Sequence, residues 1–412
     1  MEGSMTDDRN RLTRMPRLSQ MSGVDRRQFL RYMGVAAAAV GAGPLLAACG
    51  DDTTSTTGGT AALTNEFTFA NWPFYIDPGG EDSFFETSSL DDFTAATGIS
   101  VNYIEEINDN VEWFGKVQGQ LSAGQVIGRD LAALTDWMAD RFIRLGWVEA
   151  LDKSRIPNAA NLVDALKSPS FDPTRDYTLP WQSGLTAIAY DPNSTGRELT
   201  SINDIFDPAF AGRVTMLSEA NDTIGLVMLG LGIEPSTATL DEAQTANDKI
   251  REFVANGHIR RFTGNDYGED LLNGNVWVAF AWSGDVIQLQ LDNPDLRFLV
   301  PEEGLMLWSD NMLIPKGSVN KAAAETFMNY VYDPQVAAKI ESYVNYICPV
   351  SGAQEAMRQL GADLGDADLA ALAEDPLIFP TDADLAQTHI FRALPPDERE
   401  QFDAMFSETI GA

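Results

Sequence analysis

From Glu66 onward, short runs of β-branched and aromatic residues alternate with stretches of helical periodicity, and that alternation narrows the available folds more than any other feature. Phe67-Thr68-Phe69-Ala70 reads as a first strand. Ser89 to Gly98 reads as a capped helix ending at glycine, and Ser100 to Ile104 as a second strand. Asn110 to Ala123 is helical in pattern, and Asp130 to Thr135 has the composition of a buried strand. Further strands are expected at Thr186–Tyr190, Arg213–Leu217, Val276–Ala281 and Arg297–Val300, and helices at Asp222–Gly230, Leu240–Asn256 and Lys321–Val331. Such alternation argues for an α/β fold with helices packed on sheets. A body of about 350 residues exceeds one sheet with one core, so two lobes with a cleft between them are expected. The tail from Ala353 to Ala412 reads as acidic helical segments, broken at Pro376, Pro380 and Pro395-Pro396, that cover one lobe.

The region before Glu66 has another character. Residues 1–33 are polar and contain arginine, and Gly34 to Ala48 is an uncharged, mostly small and apolar run ending at Cys49. Fifteen residues at about 1.5 Å each fall short of a hydrocarbon core of roughly 30 Å, so the run reads as a signal h-region. Asp25-Arg26-Arg27-Gln28-Phe29-Leu30-Arg31 resembles a twin-arginine export signal, with Asp25 in place of the usual Ser or Thr. Leu46-Ala47-Ala48-Cys49-Gly50 resembles a lipobox, whose cysteine takes a diacylglyceryl group before cleavage. Two or more acyl chains anchor a protein stably where one does not. The polar stretch that follows cannot bury enough surface to order itself. The reading is a signal peptide over residues 1–48 and a tether over 49–65, with the folded body outside the cytoplasmic membrane.

Charge and motif content remove several function classes. Lys plus Arg total 28 against 61 Asp plus Glu, a net charge of −33. Seven arginines and four acids precede Cys49, which leaves 21 bases against 57 acids, or −36, in the remainder. Phosphate backbones repel such a chain, so nucleic acid is excluded as a partner. Two cysteines and two histidines leave little for a zinc site or a disulfide framework, and with Cys49 lipidated Cys348 has no partner. There is no G-x-S-x-G, H-E-x-x-H or phosphate-binding G-x-x-x-x-G-K-[ST]. His258 and His389, the only histidines for a nucleophilic triad, both read as surface residues. Asn108-Asp109-Asn110-Val111-Glu112 lacks the glycine and ligand spacing of a calcium loop. No cofactor, metal or catalytic residue is assigned.

Aromatic residues carry more information. Trp72 and Tyr75 lie just past the first strand, Trp137 past the strand ending at Thr135, Trp282 past Val276–Ala281, and Trp308 past the Pro301-Glu302-Glu303-Gly304 turn. Open α/β sheets place ligands at strand C-terminal ends. Glu219 and Asp222 follow a strand and open a helix, where they serve either a ligand or helix capping. Asp310 lies two residues beyond Trp308. Carboxylates beside indole faces suit ammonium groups on an alkyl chain, since a cation over a Trp face gains roughly 0.5–2 kcal/mol and carboxylates add charge-assisted hydrogen bonds.

From Phe67 to about Gly352 the chain resembles the bacterial spermidine/putrescine-binding proteins of ABC importers, a branch of the periplasmic solute-binding proteins. The resemblance lies in the order and spacing of Asn71-Trp72-Pro73-Phe74-Tyr75, Asp130 to Thr135, Leu151-Asp152-Lys153-Ser154, Phe171-Asp172-Pro173, Asp176 to Pro180, Gly184 to Tyr190, Pro301 to Gly304, Trp308-Ser309-Asp310 and Ile314-Pro315. It implies a two-lobed type II binding-protein fold, each lobe a mixed sheet flanked by helices, with the ligand cleft between the lobes. It also implies that Trp72, Tyr75, Thr135, Trp137, Glu219, Asp222, Trp282, Trp308, Asp310 and Tyr346 bind the ligand. Trp137 stands where the family commonly has Tyr, and the Ile76–Leu90 loop is longer than usual and is expected near the cleft mouth. The resemblance places residues 66–184 with 309–352 in the first lobe and 185–308 with 353–412 in the second. The implied function is a monomeric, lipid-anchored receptor that closes on a polyamine and delivers it to ABC permease subunits. The alternatives are the same fold binding another organic cation or amine, and a secreted hydrolase.

Overall fold

The computed structural model describes residues 64–411. The readings for residues 1–48 and 49–63, including Arg26, Arg27 and Cys49, lie outside the described residues. Strands and helices alternate in the order β1 (Glu66–Asn71), α1 (Ser89–Thr97), β2 (Ser100–Glu105), α2 (Asn110–Ser122), β3 (Leu131–Thr135), α3 (Asp136–Leu145), β4 (Thr178–Tyr190), α4 (Pro192–Thr195), β5 (Val214–Leu217), α5 (Ala220–Gly230), α6 (Leu240–Ala255) and β6 (Ile259–Thr263). There follow α7 (Tyr267–Leu272), β7 (Val278–Trp282), α8 (Ser283–Leu289), β8 (Arg297–Leu299), β9 (Leu305–Leu313), α9 (Lys321–Val331), α10 (Pro334–Val344), α11 (Ala353–Leu364), α12 (Ala367–Leu372), α13 (Asp382–Leu385), β10 (Thr388–His389) and α14 (Pro396–Ile410).

The local rules hold where the sequence pattern is strong. Ser88 caps α1 by accepting from the Asp91 amide, and Gly98 closes it in the left-handed conformation that a residue without a Cβ adopts freely. Thr239 and Glu242 form a reciprocal capping box at α6.

Strand order is β2-β1-β3-β9-β4-β7-β5-β6, with β10 beside β9 and β8 beside β4. β1, β2 and β3 are mutually parallel, as are β5, β6 and β7, and each set joins the rest through antiparallel pairing to β9 or β4. The two lobes are therefore not separate sheets: hydrogen bonding runs unbroken through β4 and β9, which pair from Thr178 opposite Leu313 to Thr186 opposite Met306. The first part of β4 serves one lobe and its last residues, Thr186–Tyr190, pair with β7 in the other. Ile347 adds a third crossing segment, exchanging backbone hydrogen bonds with Ser183 at 2.7 and 3.0 Å. One lobe is built around Phe67, Phe69, Phe93, Trp181 and Phe327, whose rings meet at 5.2–6.4 Å. The other packs Phe206 against Phe253 at 4.5 Å, among buried Ile202, Phe210 and Ile250.

Two expectations change. The tail does not cover one lobe alone: α11 packs on α10, beside the first lobe, whereas α14 packs on α6 in the second. Helices bury their apolar stripe on whatever neighbour the connecting turn reaches, and Pro376, Pro380 and Pro395 each let the chain change direction. No described residue of the Ile76–Leu90 loop lines the cavity. Asp77 accepts from the Ser89 amide at 2.8 Å, and Lys339 of α10 pairs with Asp92 at 2.6 Å and lies over Phe85, which hold the loop against α1 and α10.

Candidate functional site

The C-terminal ends of β1, β3, β5 and β7 converge on one cavity of about 240 Å³. All ten residues singled out from the sequence line it: Trp72, Tyr75, Thr135, Trp137, Glu219, Asp222, Trp282, Trp308, Asp310 and Tyr346. Trp72 follows β1 directly, and its indole N–H donates to the Ala133 carbonyl at 3.1 Å. Phe74 then takes φ 56°, a left-handed turn that turns the chain between Trp72 and Tyr75. That conformation costs an ordinary residue roughly 1–2 kcal/mol. Asn345 ends α10 at φ 59°, immediately before Tyr346.

The rings form a connected wall. Trp72 meets Trp282 at 6.3 Å, Trp282 meets Trp308 at 6.3 Å, Trp308 meets Tyr346 at 5.6 Å and Tyr346 meets Tyr75 at 5.3 Å. All but Trp308–Tyr346 are edge-to-face, the arrangement aromatic quadrupoles favour. Trp137 stands apart from this chain. Its ring carries the Arg399 guanidinium 4.6 Å from the centroid, so the protein's own cation already covers one face.

The acids are set into this wall. Asp310, in the middle of β9 and directly opposite Thr135 of β3, accepts from Tyr75 Oη at 2.9 Å and Thr135 Oγ1 at 2.7 Å. Burial drives its carboxyl up to about 7. Asp222 accepts from the Trp282 indole N–H at 2.9 Å and from Thr186 Oγ1 at 3.0 Å, and Thr186 in turn accepts from the Trp308 indole at 2.9 Å. Burial lifts Asp222 to about 6.

Glu219 departs from the helical reading. It is the residue before α5, in extended conformation, and caps nothing with its side chain. Its carboxylate instead accepts from Asn110 Nδ2 at 2.9 Å and from the Asn110 amide at 3.2 Å, across the cleft. Burial and the neighbouring charges of Asp109 and Asp222 hold its carboxyl well above the usual range. A second cross-cleft bond runs from Ser218 Oγ to Asp109 Oδ2 at 2.9 Å. The two sides of the cleft are thus in direct contact.

Sequence reasoning missed three lining residues of consequence. Asp285 accepts from Tyr346 Oη at 2.6 Å, Tyr267 Oη at 2.7 Å and Asn265 Nδ2 at 3.2 Å, and burial raises its carboxyl. The signal was present, since Asp285 is the third residue of a helix that follows a strand end, as Asp222 is. Asp136 adjoins Thr135, accepts from Asn311 Nδ2 at 2.6 Å and is pushed by burial to about 6. Arg399, inside an acidic helix, gave no signal at all. Neither histidine lines the cavity. His258 is not a surface residue: it is buried, packs on Phe253 at 5.0 Å and bonds the Ile205 carbonyl at 2.8 Å, because the turn after α6 folds it inward. His389 pairs with Glu234 at 2.7 Å.

What this arrangement can do is hold a slender cation: carboxylates that lose hydration on burial regain it from ammonium groups, and indole edges and faces enclose methylenes.

A spermidine/putrescine-binding periplasmic protein of Haemophilus influenzae is 26% identical over 347 residues, covering 84% of this chain and 89% of its own. A putrescine-binding periplasmic protein of Escherichia coli is 28% identical over 296 residues, covering 67% of this chain and 75% of its own. Among solved structures, a putative spermidine/putrescine ABC transporter protein from Listeria monocytogenes superposes with a TM-score of 0.71 at 24% identity, over 84% of this chain and 99% of its own, and so shares the two-lobed fold. Residues 88–371 match the family described as bacterial extracellular solute-binding protein, and the chain belongs to that family.

Proposed function

We propose that this solute-binding protein is an exported receptor for a polyamine, putrescine or spermidine, which it delivers to an ABC importer after closing around it. One observation carries the reading: Glu219, Asp222 and Asp310, from both sides and the crossing strand, converge with Trp72, Trp282 and Trp308 on a single cavity. The ten residues assigned from the sequence are the ligand contacts, with the acids taking the ammonium groups and the rings the alkyl chain. The names of the relatives above point to the same ligand class.

Several buried carboxylates without a cation repel one another and resist desolvation, which favours an open, hydrated cleft. At about 4 Å and an effective dielectric near 20, each ammonium–carboxylate pair attracts by roughly 4 kcal/mol before desolvation. Only the closed form offers both lobes' contacts at once, so the ligand shifts the hinge equilibrium by that difference. The protein catalyses nothing in this scheme. It works as a monomer held through Cys49 lipid to the outer face of the cytoplasmic membrane, after export on the Arg26-Arg27 signal. Isothermal calorimetry with putrescine, spermidine and spermine tests the ligand: micromolar or tighter binding is expected, and no heat from any of the three would end the polyamine reading. A panel of other amines run beside them separates a different organic cation from a polyamine.

A further inference from the structure

The C-terminal helix enters the cavity with Arg399, a side chain only 7% exposed. Its guanidinium lies over Trp137 at 4.6 Å and over Phe402 at 5.2 Å. Nη1 pairs with Asp403 at 3.0 Å, and Nη2 donates to Asn221 Oδ1 at 3.1 Å, one residue from Asp222 and two from Glu219. Asp403 also faces Arg141 at 3.6 Å, while Arg141 lies over Phe114 at 4.0 Å. Two guanidiniums therefore share Asp403, and Arg399, which also feels the charge of Glu219, gives this end of the cavity a resident cation. At the other end, Asp222, Asp285 and Asp310 take hydrogen bonds from neutral donors alone: Trp282, Thr186, Tyr346, Tyr267, Asn265, Tyr75 and Thr135.

The cavity is thus divided along its length. One end is acidic and walled by Trp282, Trp308, Tyr75 and Tyr346. The other already holds a cation stacked on an indole, which is the arrangement a ligand ammonium would seek. A long polyamine reaching into that end meets a like charge it cannot displace, because the arginine is covalently part of α14 and stays protonated.

Resting on the polyamine reading, we propose that Arg399 is a specificity-determining residue: a resident cation that fills one ammonium position of the cleft and makes the site prefer a diamine to a triamine or tetramine. Calorimetry of the whole chain with putrescine and spermidine tests it. The wild-type protein should bind putrescine at least tenfold more tightly than spermidine. Arg399→Met removes the charge and keeps the length, and should shrink that ratio at least tenfold, chiefly by strengthening spermidine. Arg399→Lys should retain the diamine preference. Asp403→Asn, which leaves Arg399 in place with less neutralisation, should widen it, and it keeps the test decisive if the Met variant does not fold. A wild type that binds spermidine as tightly as putrescine overturns the proposal, as does a ratio unchanged by Arg399→Met or narrowed by Asp403→Asn. Those outcomes leave the polyamine reading standing. A wild type silent towards every amine overturns both.

Discussion

In the proposed site, Asp310 would couple ligand charge to pH. Its two oxygens are held by hydroxyls of Tyr75 and Thr135, and burial lifts it to about 7, so near neutrality it is part acid and part carboxylate. An ammonium stabilises only the charged form, so amine binding must draw the proton off. Affinity should rise from pH 5 to pH 8, with Asp222, lifted to about 6, acting in the same direction. Calorimetry near pH 7 in buffers of different ionisation heat should register proton release to the buffer; affinity flat across that range would contradict the assignment. Asp310→Asn sharpens the test. It should weaken amine binding tenfold or more at pH 8, yet differ little from wild type at pH 5, where Asp310 is already protonated. An equal loss at both pH values would mean that the residue acts through structure and not through charge.

The elements that present these residues obey a repeated rule, and the rule explains both what could be read in advance and what could not. β5 leads into α5 and β7 into α8, and in each case an acid stands at the third helical position, Asp222 and Asp285, near the positive end of the helix. Strand-end aromatics were therefore legible, because apolar runs stop where the rings begin. β9 was not. Its centre, Ser309-Asp310-Asn311, is polar and buried, so it breaks the apolar run that marks a buried strand for the sake of the site itself. The first part of β4 was hidden for a related reason. Pro180 is accommodated at a register shift between Pro180 and Gln182, and Gly184 leaves the space that the Trp308 indole fills. A Cβ at Gly184 would fall 2.3 Å from Trp308 Cζ2. Gly184→Ala should therefore displace the indole from the cavity wall and weaken amine binding at least tenfold, while the circular dichroism stays that of the parent. Unaltered affinity would remove Trp308 from the ligand's path.

At the scale of the whole molecule, the lobes are joined by strands they share and not by a flexible linker, so the proposed closure would be a bend of β4, β9 and the segment at Ile347. Asn110 to Glu219, Ser218 to Asp109 and Trp72 against Trp282 are the contacts such a bend would make and break. Small-angle scattering should show a smaller radius of gyration with a diamine than without it; an unchanged radius would argue for a site that is fixed shut.

Buried acids also set how the fold itself responds to pH. Asp77, Asp136, Asp222 and Asp375 are lifted to about 6, Asp310 to about 7 and Glu341 to about 8, each mainly by burial. Their folded values lie above the roughly 3.9–4.3 of the unfolded chain, so the stability they lend is full below about pH 4 and is lost as pH rises through 6 to 8. Acids held low by ion pairs, such as Asp92 and Glu106, exchange protons below that window and do not offset the trend within it. Asp77, Asp375 and Glu341 do not line the cavity and keep this effect when the cleft is open, so the ligand-free protein should melt at a lower temperature at pH 8 than at pH 5, the reverse of ordinary acid denaturation. A cation bound among Asp222, Asp285 and Asp310 removes part of that penalty, and most where the acids are most ionised. The rise in Tm on adding a diamine should therefore be larger at pH 8 than at pH 5. A melting temperature that climbs with pH in the free protein would show these carboxyls to be hydrated in the open form, and a ligand-induced rise independent of pH would separate the acids from the ligand altogether.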